Sequence, residues 1–119
     1  MTNAQLEEAL LIDTHLEGAN LQWAHLEGAL FIGARLDGAS LEGASLIGAS
    51  LEGANCSSVN FTDANLQMVK LRRANLQGAN LVTAASLNDA DLSDIIGLSQ
   101  EQYDACIKKG AIFENTPFH

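Results

Sequence analysis

The chain is short of the residues that usually build cores and active sites. Aromatic residues make up 5% of it, with a single proline, a single tryptophan and a single tyrosine among 119 residues. Hydrophobic residues nevertheless reach 47%, so the apolar content is Ala and Leu and any core is built from small and medium side chains. Two cysteines, Cys56 and Cys106, are too few for a disulfide framework, and a reducing, cytoplasmic setting is the expectation. Basic residues are scarce as well: 6 Lys and Arg stand against 15 Asp and Glu, for a net charge of −9. Such a surface repels phosphate and anionic lipid, so direct nucleic-acid binding and membrane binding are not expected. There is no uninterrupted apolar run of about 18 residues to span a bilayer. Residues 1–11 carry Glu7 and Glu8 and no basic segment, so they do not read as a secretory signal. The mean hydropathy of +0.06 argues against a disordered acidic tail, and the length suits one domain.

What the sequence has in abundance is a repeat. Read in fives from Leu6 to Leu81, sixteen consecutive positions hold thirteen Leu, two Phe (Phe31, Phe61) and Cys56. Two residues before this centre stands Ala in 13 of 16 cases, with Thr14, Val59 and Val69 as compact exceptions. Two residues after it, eight of the ten glycines fall in one slot, among them Gly18, Gly43 and Gly78. A period of five advances about 500° on an α-helix, so its apolar positions wander round the axis. An odd period also breaks the alternation of a continuous strand. Alternation survives locally: Ala-x-Leu points two side chains to one face, and the next two residues, often x-Gly, turn the chain. Each five is one short extended side and one corner. Many such units wind into a coil that stacks on itself through backbone hydrogen bonds about 4.8 Å apart.

The A-N/D-L-x-G pattern is carried by Ala19-Asn20-Leu21, Ala64-Asn65-Leu66, Ala74-Asn75-Leu76-Gln77-Gly78 and Ala79-Asn80-Leu81. It resembles the pentapeptide-repeat family over about residues 4–93. The resemblance implies an all-β solenoid, a right-handed quadrilateral β-helix with four pentapeptides per coil, here about 4.5 coils. Leu10-x-Ile12 recurring as Leu30-x-Ile32, twenty residues on, agrees with four sides.

After Leu81 the register slips by one residue in Ala84-Ala85-Ser86-Leu87, predicting a bulge at a corner with Ala85-x-Leu87 and Ala90-x-Leu92 kept inward. The repeat domain is drawn as 1–93 and a C-terminal helical cap as 94–119. Ser99 and Gln102 have capping-box spacing, Tyr103, Cys106 and Ile107 form an apolar stripe, and Gly110 suits the helix end. Ala111-Ile112-Phe113 reads as a last extended piece before Thr116-Pro117. No comparable cap precedes Leu6: the first coil is bare, or meets another copy, or continues a longer chain.

Chemistry is sparse. His15 and His25 are ten residues apart, half a four-sided coil, and so lie on opposite sides; neither they nor His119 mark a metal site. Cys56 replaces a core Leu, Cys106 lies on the cap stripe, and neither has a basic neighbour in sequence to activate it. Ser40, Ser45 and Ser50 fill the Asn/Asp slot as corner hydrogen-bonders. No phosphate loop follows the glycines. The carboxylates look outward and dispersed, without the enclosed cleft that splits the pKa values of a catalytic pair. The expectation is no enzyme, no catalytic residue, no metal and no cofactor.

The surface is more informative. One side holds Leu10, Ile12, Leu30 and Ile32, then Ser50, Glu52, Lys70 and Arg72. Four large apolar residues outside a filled tube predict an interface, with Trp23 on a neighbouring side as a further anchor. Burying the four is worth roughly 6–12 kcal/mol before association costs. Residues 1–55 have 8 acidic residues against Arg35, a net −7, whereas the remainder is at −2. The leading expectation is a non-enzymatic scaffold for protein–protein interaction, its partner unidentified and a second copy among the candidates. The alternative implied by the resemblance is a DNA-mimicking acidic rod that binds DNA gyrase or another type II topoisomerase. A short coil, a basic cluster at Lys70, Arg72 and Arg73, and no inserted loops weigh against that alternative.

Overall fold

The computed structural model describes residues 2–113. The five-residue unit takes its shape at the corner. The C=O of each centre accepts the N–H three residues on, as from Ala29 to Leu26 at 3.0 Å and from Ala39 to Leu36 at 2.8 Å. The residue between, two after the centre, has positive φ at every corner from Asn3 to Gly78. Those two features define a type II turn, whose third residue has to be left-handed. Glycine enters that region freely, but ten other residues are held there too, including Trp23 (φ 60°), Met68 (φ 58°) and Arg73 (φ 65°). Side chains of this kind cost about 1 kcal/mol or more each, which the stacking of coils offsets.

Sides are joined by a parallel ladder. From Gln5 to Asn55 the residue before each centre bridges the one twenty positions on: Leu10 to Leu30, Leu30 to Ser50 and Ser50 to Lys70. A step of twenty closes four sides per coil. We number them by the ladders that start at Gln5 (first), Leu10 (second), His15 (third) and Asn20 (fourth). The bridges are isolated, not runs of strand, because five residues must supply both a side and a corner. The all-β expectation therefore holds for the ladder, while extended strands are absent among the described residues.

Inside, Leu21, Phe31, Leu41, Leu51, Phe61 and Leu71 are fully buried, with the alanines between them. In the first coil Leu6, Leu11 and Leu16 are only partly buried, since the described residues place no coil beneath them. The Asn/Asp slot also has a clear job. Its side-chain oxygen accepts the N–H two residues on, as in Ser57 to Asn55 (3.1 Å), Gln67 to Asn65 (3.0 Å) and Gln77 to Asn75 (3.0 Å). No ladder carbonyl takes that amide, so the slot satisfies a donor that would otherwise rely on water. Ser40 does the same for Glu42 at 3.4 Å.

The register change is real and its details differ from expectation. The corner after Leu81 has no left-handed residue; it is a single 3-10 turn, Leu81–Thr83. Beyond it the ladder step becomes twenty-one, from Asn65 to Ser86. Ala85 N–H donates to Ala64 at 2.8 Å and Ser86 C=O accepts from Leu66 at 2.9 Å. Two residues thus stand opposite Asn65, which is a β-bulge just past the corner. Ala84, not Ala85, fills the inward slot, and Ala85 is exposed. The turn also pulls the Asn80 backbone away from the fourth-side ladder. Its side chain compensates: Asn80 Oδ1 accepts Phe61 N–H at 2.7 Å, and Asn80 Nδ2 donates to Asn60 Oδ1 at 3.0 Å.

The chain then caps its own coil. Helix α1, Gln100–Lys108, starts at a complete capping box: Ser99 Oγ accepts Gln102 N–H at 3.2 Å and Gln102 Oε1 accepts Ser99 N–H at 2.9 Å. It ends in a Schellman motif, with Ala111 N–H on Cys106 C=O, Gly110 N–H on Ile107 C=O, and Gly110 at φ 94°. Cys106 and Tyr103 are buried over the last coil, whereas Ile107 is exposed, so the expected stripe is narrower by one residue. Lys109 Nζ donates to Ala84 C=O at 3.0 Å, and Ile112 bridges Asp91, extending the second side. Tyr103 and Phe113 pack with ring centroids 4.2 Å apart. Thr116, Pro117 and His119 lie outside the described residues.

Candidate interaction surface

The ladder that starts at Leu10 builds the most unusual surface. Because consecutive coils align residues twenty apart, Leu10 stacks on Leu30 and Ile12 on Ile32, giving one apolar patch two coils high. Leu10 is 74% exposed, Ile12 49% and Ile32 39%, while Leu30 is half-buried by its neighbours. Higher on the same side the character changes. Ser50 is buried, and Arg72 reaches Asp91 at 3.4 Å and Asp94 at 3.8 Å. The basic cluster read from Lys70, Arg72 and Arg73 is therefore partly neutralised. Burial pushes the Asp91 carboxyl up, but Ser93 and Arg72 outweigh it and hold the group below its usual value.

Trp23 is not part of this patch. It stands at the corner between the fourth and first sides, which does not border the second. Its indole lies over Gly43: a Cβ there would fall 2.6 Å from Trp23 Cδ2. Half the tryptophan is exposed, but it flanks the first side. The structure joins Leu10, Ile12, Leu30 and Ile32 and leaves Trp23 apart.

Two His-Leu-Glu triplets decorate opposite sides, as the ten-residue spacing predicts. His15 Nδ1 lies 3.2 Å from Glu17 Oε2 and His25 Nδ1 lies 3.4 Å from Glu27 Oε2. The backbone amide of Glu17, then His15, hold the Glu17 carboxyl below its ordinary range. Partial burial pushes Glu27 up, but its own backbone amide, then Ser45 and His25, bring it below that range. The dispersed carboxylates of the linear reading are in one place brought together: Glu7 stacks on Glu27 beside His25, with one potential ligand atom from each within 4.8 Å of the others. The signal was a spacing of eighteen and twenty residues, which has meaning only on a four-sided coil.

Among the described residues the tube interior is filled and no pocket opens along it. No helix among them is long and apolar enough to cross a membrane. Burial pushes the Cys56 thiol up to about 12 and the Cys106 thiol up to about 11 from an ordinary 9.0. Above pH 9 the unfolded chain releases these protons while the folded chain keeps them, so stability falls as pH rises. Urea denaturation at pH 8 and pH 10 is expected to show a loss of about 1 kcal/mol per thiol, and Cys56→Ala to flatten the slope.

Stacked five-residue sides joined by a parallel ladder make this a quadrilateral β-solenoid. The chain matches the pentapeptide-repeat profile in 8 copies, over residues 1–38, 14–53, 39–78 and 54–96. It belongs to the pentapeptide-repeat family, whose fold is a right-handed quadrilateral β-helix. No curated protein sequence matches it. A pentapeptide repeat protein of the Arabidopsis thaliana thylakoid lumen is similar over 99% of this chain and 81% of its own, at 28% identity and a TM-score of 0.50. One from the cyanobacterium Cyanothece 51142 is 25% identical over 90% of this chain and 61% of its own, with a TM-score of 0.47. QnrB1, a plasmid-mediated fluoroquinolone resistance protein, is 17% identical over 93% of this chain and 65% of its own, with a TM-score of 0.45.

Proposed function

We propose that the protein is a non-enzymatic scaffold that binds a protein partner through the lower half of its second side. The observation that carries this reading is the stacked patch of Leu10, Ile12, Leu30 and Ile32 on a rigid, filled rod. Apolar side chains held outward by a ladder cannot retreat into the core, because the inward slots are already occupied. Their removal from water needs another surface. A filled interior also leaves no enclosed volume for a reaction. The patch favours protein contact over duplex mimicry, since DNA presents phosphates where this side presents hydrocarbon.

A second copy of the chain is the first partner to test. Light scattering on a sizing column gives the mass, and Leu30→Glu is expected to convert a dimer to a monomer while leaving the circular dichroism unchanged. A dimer that survives Leu30→Glu would take the patch out of self-association. The DNA-mimic reading has its own assay: inhibition of gyrase supercoiling at micromolar protein would displace the scaffold reading.

A further inference from the structure

We propose that Glu7, His25 and Glu27 form a binding site for a divalent transition-metal ion, Zn²⁺ in the first instance, on the first side of the coil. The three side chains come from two consecutive coils. Glu7 and Glu27 occupy the same slot one ladder step apart, and His25 shares its side with Glu27. One nitrogen and two carboxylate oxygens, mutually within 4.8 Å, are a donor set that zinc accepts, with water completing the shell. Donors around a tetrahedral zinc stand about 3.3 Å apart, a separation His25 and Glu27 already have at 3.4 Å, so Glu7 closes by at most roughly 1.5 Å. Glu7 and His25 are exposed, and their side chains have the freedom to do so.

Three observations point to a cation rather than to a solvated acidic face. Glu7 and Glu27 are like charges stacked by the backbone, and no Lys or Arg stands among the outward residues of the first side, from Gln5 to Asn88. Glu27 Oε1 is buried with no hydrogen-bond partner, although the side chain as a whole is 37% exposed and its other oxygen meets His25. The third side supplies an internal contrast. There the same His-Leu-Glu triplet, His15 to Glu17, has Arg35 laddered to His15, and Arg35 adds a fixed positive charge to the contribution of His15 at Glu17. Both sides stack a second carboxylate one step from the triplet, Asp37 over Glu17 and Glu27 over Glu7, but the residues laddered to His25 are Gln5 and Ser45, neither of them charged. The imidazole selects for Zn²⁺, Ni²⁺ or Cu²⁺ over Mg²⁺ and Ca²⁺, which prefer oxygen alone.

Isothermal titration of the full chain with zinc chloride tests the site. The expected result is saturable binding of a single ion per chain, unaffected by excess Mg²⁺. Glu7→Gln and His25→Ala should each weaken binding by about tenfold or more, and His15→Ala should leave it unchanged. All three changes are on exposed side chains, and circular dichroism confirms that the coil is intact. Absence of saturable binding would overturn the proposal, as would full competition by Mg²⁺, indifference to His25→Ala, or an equal loss in His15→Ala.

Discussion

Leu41→Asp is expected to abolish folding. Leu41 is fully buried midway along the tube, between the layers of Leu21 and Phe61. A carboxylate there would have no hydrogen-bond donor and no cation, and the coil has no room to admit water. Burying an unpaired charge costs more than 5 kcal/mol, against a total stability of about 5–15 kcal/mol for a domain of ordinary size. The neighbouring change Glu42→Ala should cost less than about 0.5 kcal/mol, because that side chain faces outward and meets only Gln22 at 3.5 Å. Thermal unfolding followed by circular dichroism reads both. Equal effects from adjacent residues would contradict the inward and outward assignment on which the coil depends.

Gly97→Ala is expected to cost about 3 kcal/mol and to loosen the cap. Gly97 has φ 102°, outside the region that L side chains adopt. A Cβ at this position would also fall 2.6 Å from Gln77 Cα and against the Gln77 amide, which belong to the coil beneath. Both obstacles are backbone, so no rotamer change relieves them. The contrast is Gly43, where a Cβ would meet the Trp23 ring, which is half exposed and can swing away. Gly43→Ala should therefore cost less than Gly97→Ala, the left-handed strain of about 1 kcal/mol together with displacement of the indole. Urea denaturation separates the two, and hydrogen exchange at α1 shows whether the cap loosens first. A Gly97→Ala protein as stable as the parent would mean that the junction between coil and cap relaxes freely.

The coil was legible because its signal is repeated and one-dimensional. Leu21, Phe31 and Leu41 are inward for a reason that each five-residue unit states by itself: an apolar centre, a compact residue two before it, a turn residue two after. The Ser99–Gln102 box was legible for the same reason, being a local contract between residues three apart. Errors came where neighbours on the next coil decide. Ala84 and Ala85 are identical in sequence, and only the two-to-one pairing with Asn65 makes the first inward and the second exposed. Ile107 fits the helical stripe, yet it is exposed while Tyr103 and Cys106 are buried. The tenfold repetition of positive φ at non-glycine residues was also hidden, since stacking holds Trp23 or Met68 in a conformation that their own preferences oppose.

The sequence by itself determined the period, the inward residues as far as Leu81, the four-residue apolar patch and the capping helix, because each follows from covalent spacing and local turn chemistry. The tertiary structure alone decided which distant residues become neighbours: Glu7 with Glu27 and His25, Trp23 with Gly43, Asn80 with Phe61, Arg72 with Asp91. The reason is geometric. A ladder step of twenty residues brings together side chains that share no local pattern, and the one-residue slip after Leu81 lengthens that step to twenty-one for every pair that straddles it.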